Sequence, residues 1–145
     1  MKCDVKIITS CKNPEILIST PLLPGHKISK ITKKTLKRND IDYIWLTSSG
    51  NNNIPINHLG NIEWYKKNIG KLPPYIFFLD RDIDLGRHAL DRLHNSLVKE
   101  SYRSDVKIGY SYASFKYTGG STIWPPTPII DSNINAAGFL SSFDN

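Results

Sequence analysis

The sequence predicts an α/β protein built on a mainly parallel sheet that is flanked by helices. Short runs rich in β-branched and aromatic residues alternate along the chain with longer segments whose apolar residues recur at helical spacing. The most apolar run, residues 76–79, has no polar alternation, which is typical of a strand buried on both faces. Because helices separate most of the strands, we expect the strands to run mainly in the same direction.

The predicted elements can be placed in order along the chain. Runs of β-forming residues predict strands at 4–9, 15–20, 41–47, 76–79 and 106–112. Apolar spacing predicts helices at 28–38, along the stripe Leu59, Ile62, Tyr65 and Ile69, and along the stripe Ala89, Leu90, Leu93, Leu97 and Val98. Beyond 117 no period is sustained and prolines cluster, so we interpret residues 118–145 as a loop-rich cap.

The length of the chain, 145 residues, is that of one ordinary domain. Cys3 and Cys11 have no metal-ligand spacing, and we expect them to be free thiols in a reducing compartment. No stretch approaches the roughly 20 consecutive apolar residues that a transmembrane helix requires, and no signal peptide is visible. We therefore expect a cytoplasmic protein without a transmembrane segment.

The net charge of +6 comes from one segment. Residues 27–38, KISKITKKTLKR, hold six Lys or Arg residues and no acid, and the 13 basic residues that remain of 19 balance the 13 acids. Such a segment contacts phosphate groups, anionic lipid or nucleic acid in some proteins and is a solvated surface in others. We expect a solvated surface, and the lack of interleaved arginine and aromatic residues argues against a nucleic-acid partner.

Three acids follow the most apolar strand at alternate positions. In YIFFLDRDIDLG, residues 75–86, the strand runs directly into Asp80, Asp82 and Asp84. Carboxylates crowded at the end of a buried strand repel one another and lose solvation. A bound divalent cation would relieve that repulsion, so the pattern indicates a metal site.

Three chemistries use acids at such spacing, and a structural role competes with them. A calcium loop requires glycine where this chain has Leu85. Phosphatases that form an aspartyl-phosphate usually have Gly-Thr after the Asp-x-Asp motif, whereas this chain has Ile83 and Asp84 there. The third chemistry is a sugar-nucleotide site, in which a metal bridges the diphosphate. The structural alternative for Asp80 and Asp82 is a helix cap with a charge pair.

Three segments resemble one family of enzymes. PYIFFLDRDIDLGRHALDRLHNSL has the apolar strand, the Asp-x-Asp, the turn and the Leu-striped helix that make up the central segment of inverting, family-2-like glycosyltransferases of the GT-A fold. DYIWLTSSGNNNIPINHLGNIEWYKK resembles the second strand, polar loop and Asn-led helix of that family. ILISTPLLPGHKISKITKKTL is similar to its first strand and helix. The resemblance covers residues 15–117.

The resemblance implies a Rossmann-like, nucleotide-diphospho-sugar transferase architecture and a metal-dependent glycosyltransferase. It implies a single domain, with a donor-binding core at 1–117 and a cap or the start of the acceptor region at 118–145. The implied ligands are a nucleotide-sugar donor, Mn²⁺ or Mg²⁺, and a sugar, lipid or protein acceptor. By position, Thr20, Pro21 and Ser48 line the base pocket, Asn57 supports the diphosphate loop, Asp80 approaches the ribose and Asp82 binds the metal.

Some implications of the resemblance stay open. The family has an Asp at the end of the second strand, where this chain has Thr47 and Ser48. Its general base lies downstream of the metal motif, and Asp131 is the candidate for that base. A chain without such a base would be a catalytically inactive nucleotide-sugar or phosphate-binding module. Residues 5–15 also resemble the first strand, and that register would move the base pocket to Thr9, Ser10 and Asn13.

Overall fold

The fold is that of a computed structural model, which describes residues 3–103, 108–111, 114–117, 120–123 and 138–142. The strands are Asp4–Thr9 (β1), Ile16–Pro21 (β2), Tyr43–Ser49 (β3), Tyr75–Phe78 (β4), Ile108–Ser111 (β5), Ser114–Tyr117 (β6), Gly120–Ile123 (β7) and Gly138–Ser142 (β8). The helices are Lys30–Leu36 (α1), Ile54–Asn68 (α2) and Ala89–Arg103 (α3). None of these helices has the length and apolar composition needed to cross a bilayer.

The main sheet has six strands in the order β1-β3-β2-β4-β8-β5, and β6 pairs with β7 separately. The predicted α/β class is confirmed, but the expectation of a mainly parallel sheet is wrong, because three of the five strand pairings in this sheet are antiparallel. Strand β2 is parallel to both β3 and β4, whereas β1 is antiparallel to β3 and β8 is antiparallel to β4 and β5. The link between β1 and β2 is too short for a crossover helix, which is consistent with a reversed first strand.

Helices cover both faces of the parallel part of the sheet. Leu36 of α1 and Leu90 of α3 share one core cluster with Ile16 and Ile18 of β2. The other face of β2 presents Leu17 to a second cluster, which also contains Tyr65 of α2. The chain passes from β2 to β3 through α1 on one face and returns past β2 to β4 through α2 on the other. The two connections diverge between β2 and β4, so the carboxyl ends of these strands form a topological switch point.

Strand β4 lies in the interior of the sheet, between β2 and β8. Its pairing with β2 runs from Ile16 opposite Tyr75 to Ser19 opposite Phe78. Ile76, Phe77 and Leu79 have no solvent exposure. The prediction that 76–79 forms a strand buried on both faces is therefore confirmed, with the strand beginning one residue earlier.

The predicted apolar stripe of α2 is correct at Tyr65, which is buried, and at Ile62, which packs against the second core cluster, but wrong at Leu59 and Ile69. Leu59 is 51% exposed and Ile69 is 48% exposed. The buried residues of the helix are Asn57, Asn61 and Tyr65, at spacings of four. Asn61 turns inward because its Nδ2 donates to the hydroxyl of Ser19 on β2, whereas the hydroxyl of Ser48 donates to the backbone carbonyl oxygen of Asn57.

Candidate functional site

A cleft of about 530 Å³ opens at the carboxyl ends of the parallel strands. Its walls come from the 22–28 loop after β2, from the end of β3 and from β1. Lys6, Lys27 and Lys33 line the cleft together with one acid, Asp4. The surplus of basic groups gives the cleft a positive potential, which attracts anions.

The Asp-x-Asp motif lies beside this cleft, after β4. Arg81 joins the two features, because its Nη1 donates to the carbonyl oxygen of Lys27 at 3.3 Å. Its Nη2 lies 3.9 Å from Oδ2 of Asp82, and both side chains are partly exposed. The carboxyl ends of β2 and β4, and so the switch point between them, therefore carry a carboxylate pair next to a basic cleft.

Asp80 forms no salt bridge within the part of the chain that the structure describes. The residue as a whole is exposed, yet neighbouring protein atoms crowd its carboxyl group. This desolvation, followed by the negative charge of Asp82, raises the pKa of Asp80 above its usual range. A divalent cation at the pair would reverse both effects, and carboxylate oxygens are the ligands that Mg²⁺ and Mn²⁺ prefer.

Helix α1 holds the motif in place through its first turn. The amide of Ser29 donates to the carbonyl oxygen of Arg81 at 2.9 Å. The hydroxyl of Thr32, which is fully buried, contacts the same oxygen at 3.1 Å and the carbonyl oxygen of Ile83 at 2.8 Å. The backbone between the two metal-ligand candidates is thereby fixed by the helix that begins at the cleft.

The predicted base-pocket residues meet at the ends of β2 and β3, where Pro21 pairs with Ser48. Thr20 and Ser48 have no solvent exposure. Oγ1 of Thr20 accepts from Nε1 of Trp45 at 2.8 Å, and the hydroxyl of Ser48 donates to the carbonyl oxygen of Asn57. In this structure both hydroxyl groups thus bond to protein, and the cleft is lined at this point by Thr47 and Ser49 instead.

Asn57 supports the loop between β3 and α2. Its Nδ2 donates to the carbonyl oxygen of Asn51 at 2.8 Å, and its Oδ1 lies 3.6 Å from Sγ of Cys3. The side chain is fully buried, so these contacts fix the loop to the body of the domain. The loop-supporting part of its predicted role agrees with these contacts. Asp131 and most of the predicted cap, 118–145, lie outside the described residues.

A buried polar cluster next to the motif was missed by the sequence reasoning. The hydroxyl of Ser19 on β2 lies 2.7 Å from Nδ1 of His58 and accepts from Nδ2 of Asn61 at 2.8 Å. The ring of His58 stands edge-on to Phe78 of β4, with centroids 4.8 Å apart. Burial lowers the pKa of His58, so its imidazole is neutral near pH 7, and the donor in its contact with Ser19 depends on which ring nitrogen carries the proton.

The buried cluster makes stability depend on pH. Burial lowers the pKa of His58 from 6.5 to about 4, so the folded protein binds this proton more weakly than the unfolded chain. We expect the contribution of His58 to stability to be complete above pH 6.5 and to be lost as the pH falls toward 4. Urea denaturation across this range should show a shallower pH dependence for His58→Gln than for the wild type.

The matched control is His26→Gln, because His26 is exposed. Its pH profile should follow that of the wild type. Identical profiles for the wild type and His58→Gln would contradict the assignment of a buried, neutral imidazole.

Comparison of the chain with family models, with curated proteins and with solved structures found no match. A doubly wound α/β domain carries many unrelated activities, so the fold by itself does not determine the function. The function must be argued from the acids, the basic cleft and the loops that hold them.

Proposed function

We propose that this chain is a metal-dependent glycosyltransferase of the GT-A type, which binds a nucleotide-sugar donor at the carboxyl edge of its sheet. One observation supports the proposal above the others. A pair of carboxylates, Asp80 and Asp82, follows the interior strand at the switch point and adjoins a cleft lined by lysines. Doubly wound sheets bind nucleotides at this position.

The mixture of charges suits a diphosphate. Lys27 and Lys33 attract an anion into the cleft, but the adjacent carboxylates repel it. Mn²⁺ or Mg²⁺ held by Asp82, with Asp80 beside it, would attract the diphosphate and so replace that repulsion by a favourable interaction. The metal would neutralise the charge that develops on the leaving diphosphate during sugar transfer.

The residues of the chain would perform the binding and the orientation. Asp82 and Asp80 supply hard oxygen ligands, and Thr32 fixes the backbone that carries them. Arg81 fastens the motif to the 22–28 loop through Lys27, so the cleft and the metal ligands keep a constant separation. Rigid placement of both ends of the donor is the main requirement for transfer between two bound substrates.

Thermal-shift measurements and calorimetry with nucleoside diphosphates and their sugar conjugates test the proposal. We expect at least one diphosphate to raise the melting temperature in the presence of Mn²⁺ and to have much less effect without it. Lys33→Gln should weaken this binding about 5-fold, since it removes one partly screened charge from the cleft. Lys34→Gln is the matched control, because Lys34 is exposed and does not line the cleft.

Binding and transfer are separable in the same experiment. Slow, Mn²⁺-dependent release of nucleoside diphosphate from the conjugate that binds would support an enzyme. Binding with no release, for any acceptor tried, would identify a catalytically inactive donor-binding module. If no nucleoside diphosphate stabilises the protein with Mn²⁺ present, the proposal is wrong.

A further inference from the structure

Three potential metal ligands meet at the opposite end of α1 from the Asp-x-Asp motif. Asp40 lies in the loop that follows α1, His88 directly precedes α3, and Asp91 is in the first turn of that helix. Nδ1 of His88 lies 2.9 Å from Oδ2 of Asp91 and 3.8 Å from Oδ2 of Asp40. One ligand atom from each of the three residues lies within 4.8 Å of the other two.

We propose that Asp40, His88 and Asp91 bind a divalent transition metal, with Zn²⁺ as the preferred ion. An imidazole nitrogen with two carboxylates suits Zn²⁺, whereas Mg²⁺ and Ca²⁺ favour oxygen ligands alone. Zinc bonds to N and O are about 2.1 Å long, so tetrahedral ligand atoms stand about 3.4 Å apart. The separations of 2.9 and 3.8 Å lie on either side of that value.

Hydrogen bonds to backbone amides across the junction of α1 and α3 fix the position of the cluster. The carboxylate of Asp91 accepts from the amide of Asp40 at 2.8 Å and from the amide of Ile41 at 2.9 Å. The amide of Asp91 in turn donates to Oδ1 of Asn39 at 3.0 Å. These reciprocal bonds fix one ligand and the backbone of a second, which is the role that outer-shell hydrogen bonds have at metal sites.

The charge of the cluster also favours a cation. An imidazole that binds a metal is neutral, so this ligand set of one imidazole and two carboxylates would carry a net charge of −2, which a divalent ion balances. His88 adopts φ 54°, a conformation that no other non-glycine residue of the described chain has. A positive φ is uncommon for non-glycine residues, and His is enriched there together with Asn and Asp.

A proton is the alternative occupant of the position between Nδ1 of His88 and Oδ2 of Asp91. In that case His88 and Asp91 form a capping hydrogen bond, Asp40 is an exposed charge, and the stability of the protein does not depend on a metal. The two occupants differ in their dependence on Asp40, whose side chain is 92% exposed and contributes little to the capping bond. A metal needs this third ligand, but the capping bond does not.

Calorimetry with Zn²⁺, together with the visible absorption spectrum of the Co²⁺ form, tests the proposal on the full chain. We expect the wild type to bind one Zn²⁺ at this cluster, to gain thermal stability from it, and to give a Co²⁺ spectrum of low coordination number. Asp40→Asn should lower the Zn²⁺ affinity at least about 10-fold. Because the side chain of Asp40 is exposed, this variant should keep the fold and stability of the metal-free wild type.

His88→Gln should lower the Zn²⁺ affinity further, because it removes the nitrogen ligand. Asp82→Asn is the control, and it should leave Zn²⁺ binding at this cluster unchanged even where it abolishes Mn²⁺-linked nucleotide binding. The proposal is overturned if the wild type does not bind Zn²⁺ at micromolar concentration. It is also overturned if Asp40→Asn and His88→Gln bind as the wild type does, or if Asp82→Asn removes the binding. Failure of the proposed donor site would appear in the Mn²⁺-linked nucleotide measurements, so it can be distinguished from each of these outcomes.

Discussion

Replacing Asp82 by Asn is expected to lower the Mn²⁺-linked affinity for a nucleoside diphosphate by about 2–4 kcal/mol, or roughly 30- to 1,000-fold. Asn keeps the size of the side chain and one neutral oxygen, but it lacks the charge that holds a hard cation. Asp80 alone cannot replace it, because neighbouring atoms already disfavour its ionised form. Calorimetry with Mn²⁺ and a nucleoside diphosphate, on wild type and variant, measures the loss directly.

The same substitution should leave the metal-free protein equally stable or more stable. The charge of Asp82 is one cause of the raised pKa of Asp80, so its removal moves that pKa toward the ordinary value of 3.8. A raised carboxyl pKa means that stability declines as the pH rises through the folded pKa. Urea denaturation should therefore show that, as the pH rises above 3.8, the free energy of unfolding declines less in the variant than in the wild type. The lost contact with Arg81, at 3.9 Å and partly exposed, offsets little of this gain.

Asp84→Asn is the matched control for Asp82→Asn. It makes the same change of charge two residues further along the loop, at a side chain that is also partly buried. We expect it to leave donor affinity unchanged, since Asp84 is not one of the two predicted metal ligands. Because α3 begins at Ala89, Asp82 caps no described helix. If Asp82 serves only as the ion-pair partner of Arg81, both variants bind nucleotide as the wild type does. Equal, metal-independent binding in all three proteins would exclude the metal site.

The predicted elements that were confirmed are those determined by neighbouring residues. Residues 76–79 are apolar without interruption, and this property alone requires burial on both faces. The position of β1 depends instead on distant residues. The CKNP turn brings β1 back toward β2, yet β1 pairs with β3, with Asp4 opposite Ser49. Local patterns do not contain this choice of partner, because it depends on which edge of the sheet stays open after β2 and β3 pair.

The stripe predicted for α2 failed at Leu59 and Ile69 for a related reason. Leu59 and Ile69 have helical spacing with Tyr65, but the helix buries Asn57 and Asn61 instead. Hydrophobic periodicity assumes that the opposing surface is apolar, and here the opposing strands present hydroxyl groups. The partners are remote in sequence, since Ser19 and Asn61 are 42 residues apart.

In the candidate site, too, one part could be predicted from neighbouring residues and another part depends on residues distant in the sequence. The placement of Asp80 and Asp82 at the carboxyl end of an interior strand follows from the sequence, because the acids adjoin the apolar run. The contacts of Thr32 with their backbone, and of Asp91 with the loop after α1, join residues about 50 apart. No motif contains such pairs, and only the packing of α1 against the 80–91 segment brings them together.

Replacing Thr32 by Val is expected to weaken Mn²⁺-linked donor binding about 10-fold, although Thr32 is buried and its hydroxyl contacts protein atoms. Val preserves the volume and the branched shape but removes the hydroxyl that contacts the carbonyl oxygens of Arg81 and Ile83. Leaving a buried carbonyl without this donor should also lower the free energy of unfolding by about 1–3 kcal/mol. The backbone between Asp80 and Asp82 would lose its contact with this hydroxyl, and the two carboxylates would then lose their fixed separation.

Thr35→Val separates positioning of the motif from general loss of stability. Thr35 lies one helical turn further along α1, and its hydroxyl oxygen accepts from the amide of Leu85 at 3.1 Å. Its replacement leaves a buried amide without a partner and should reduce stability by a similar amount, about 1–3 kcal/mol. The contacts of Thr32 with Arg81 and Ile83 remain, however, so donor affinity should stay within about 2-fold of the wild type. Equal losses of affinity in the two variants would mean that α1 acts through overall stability, whereas a loss confined to Thr32→Val would show that the helix holds the metal ligands in register.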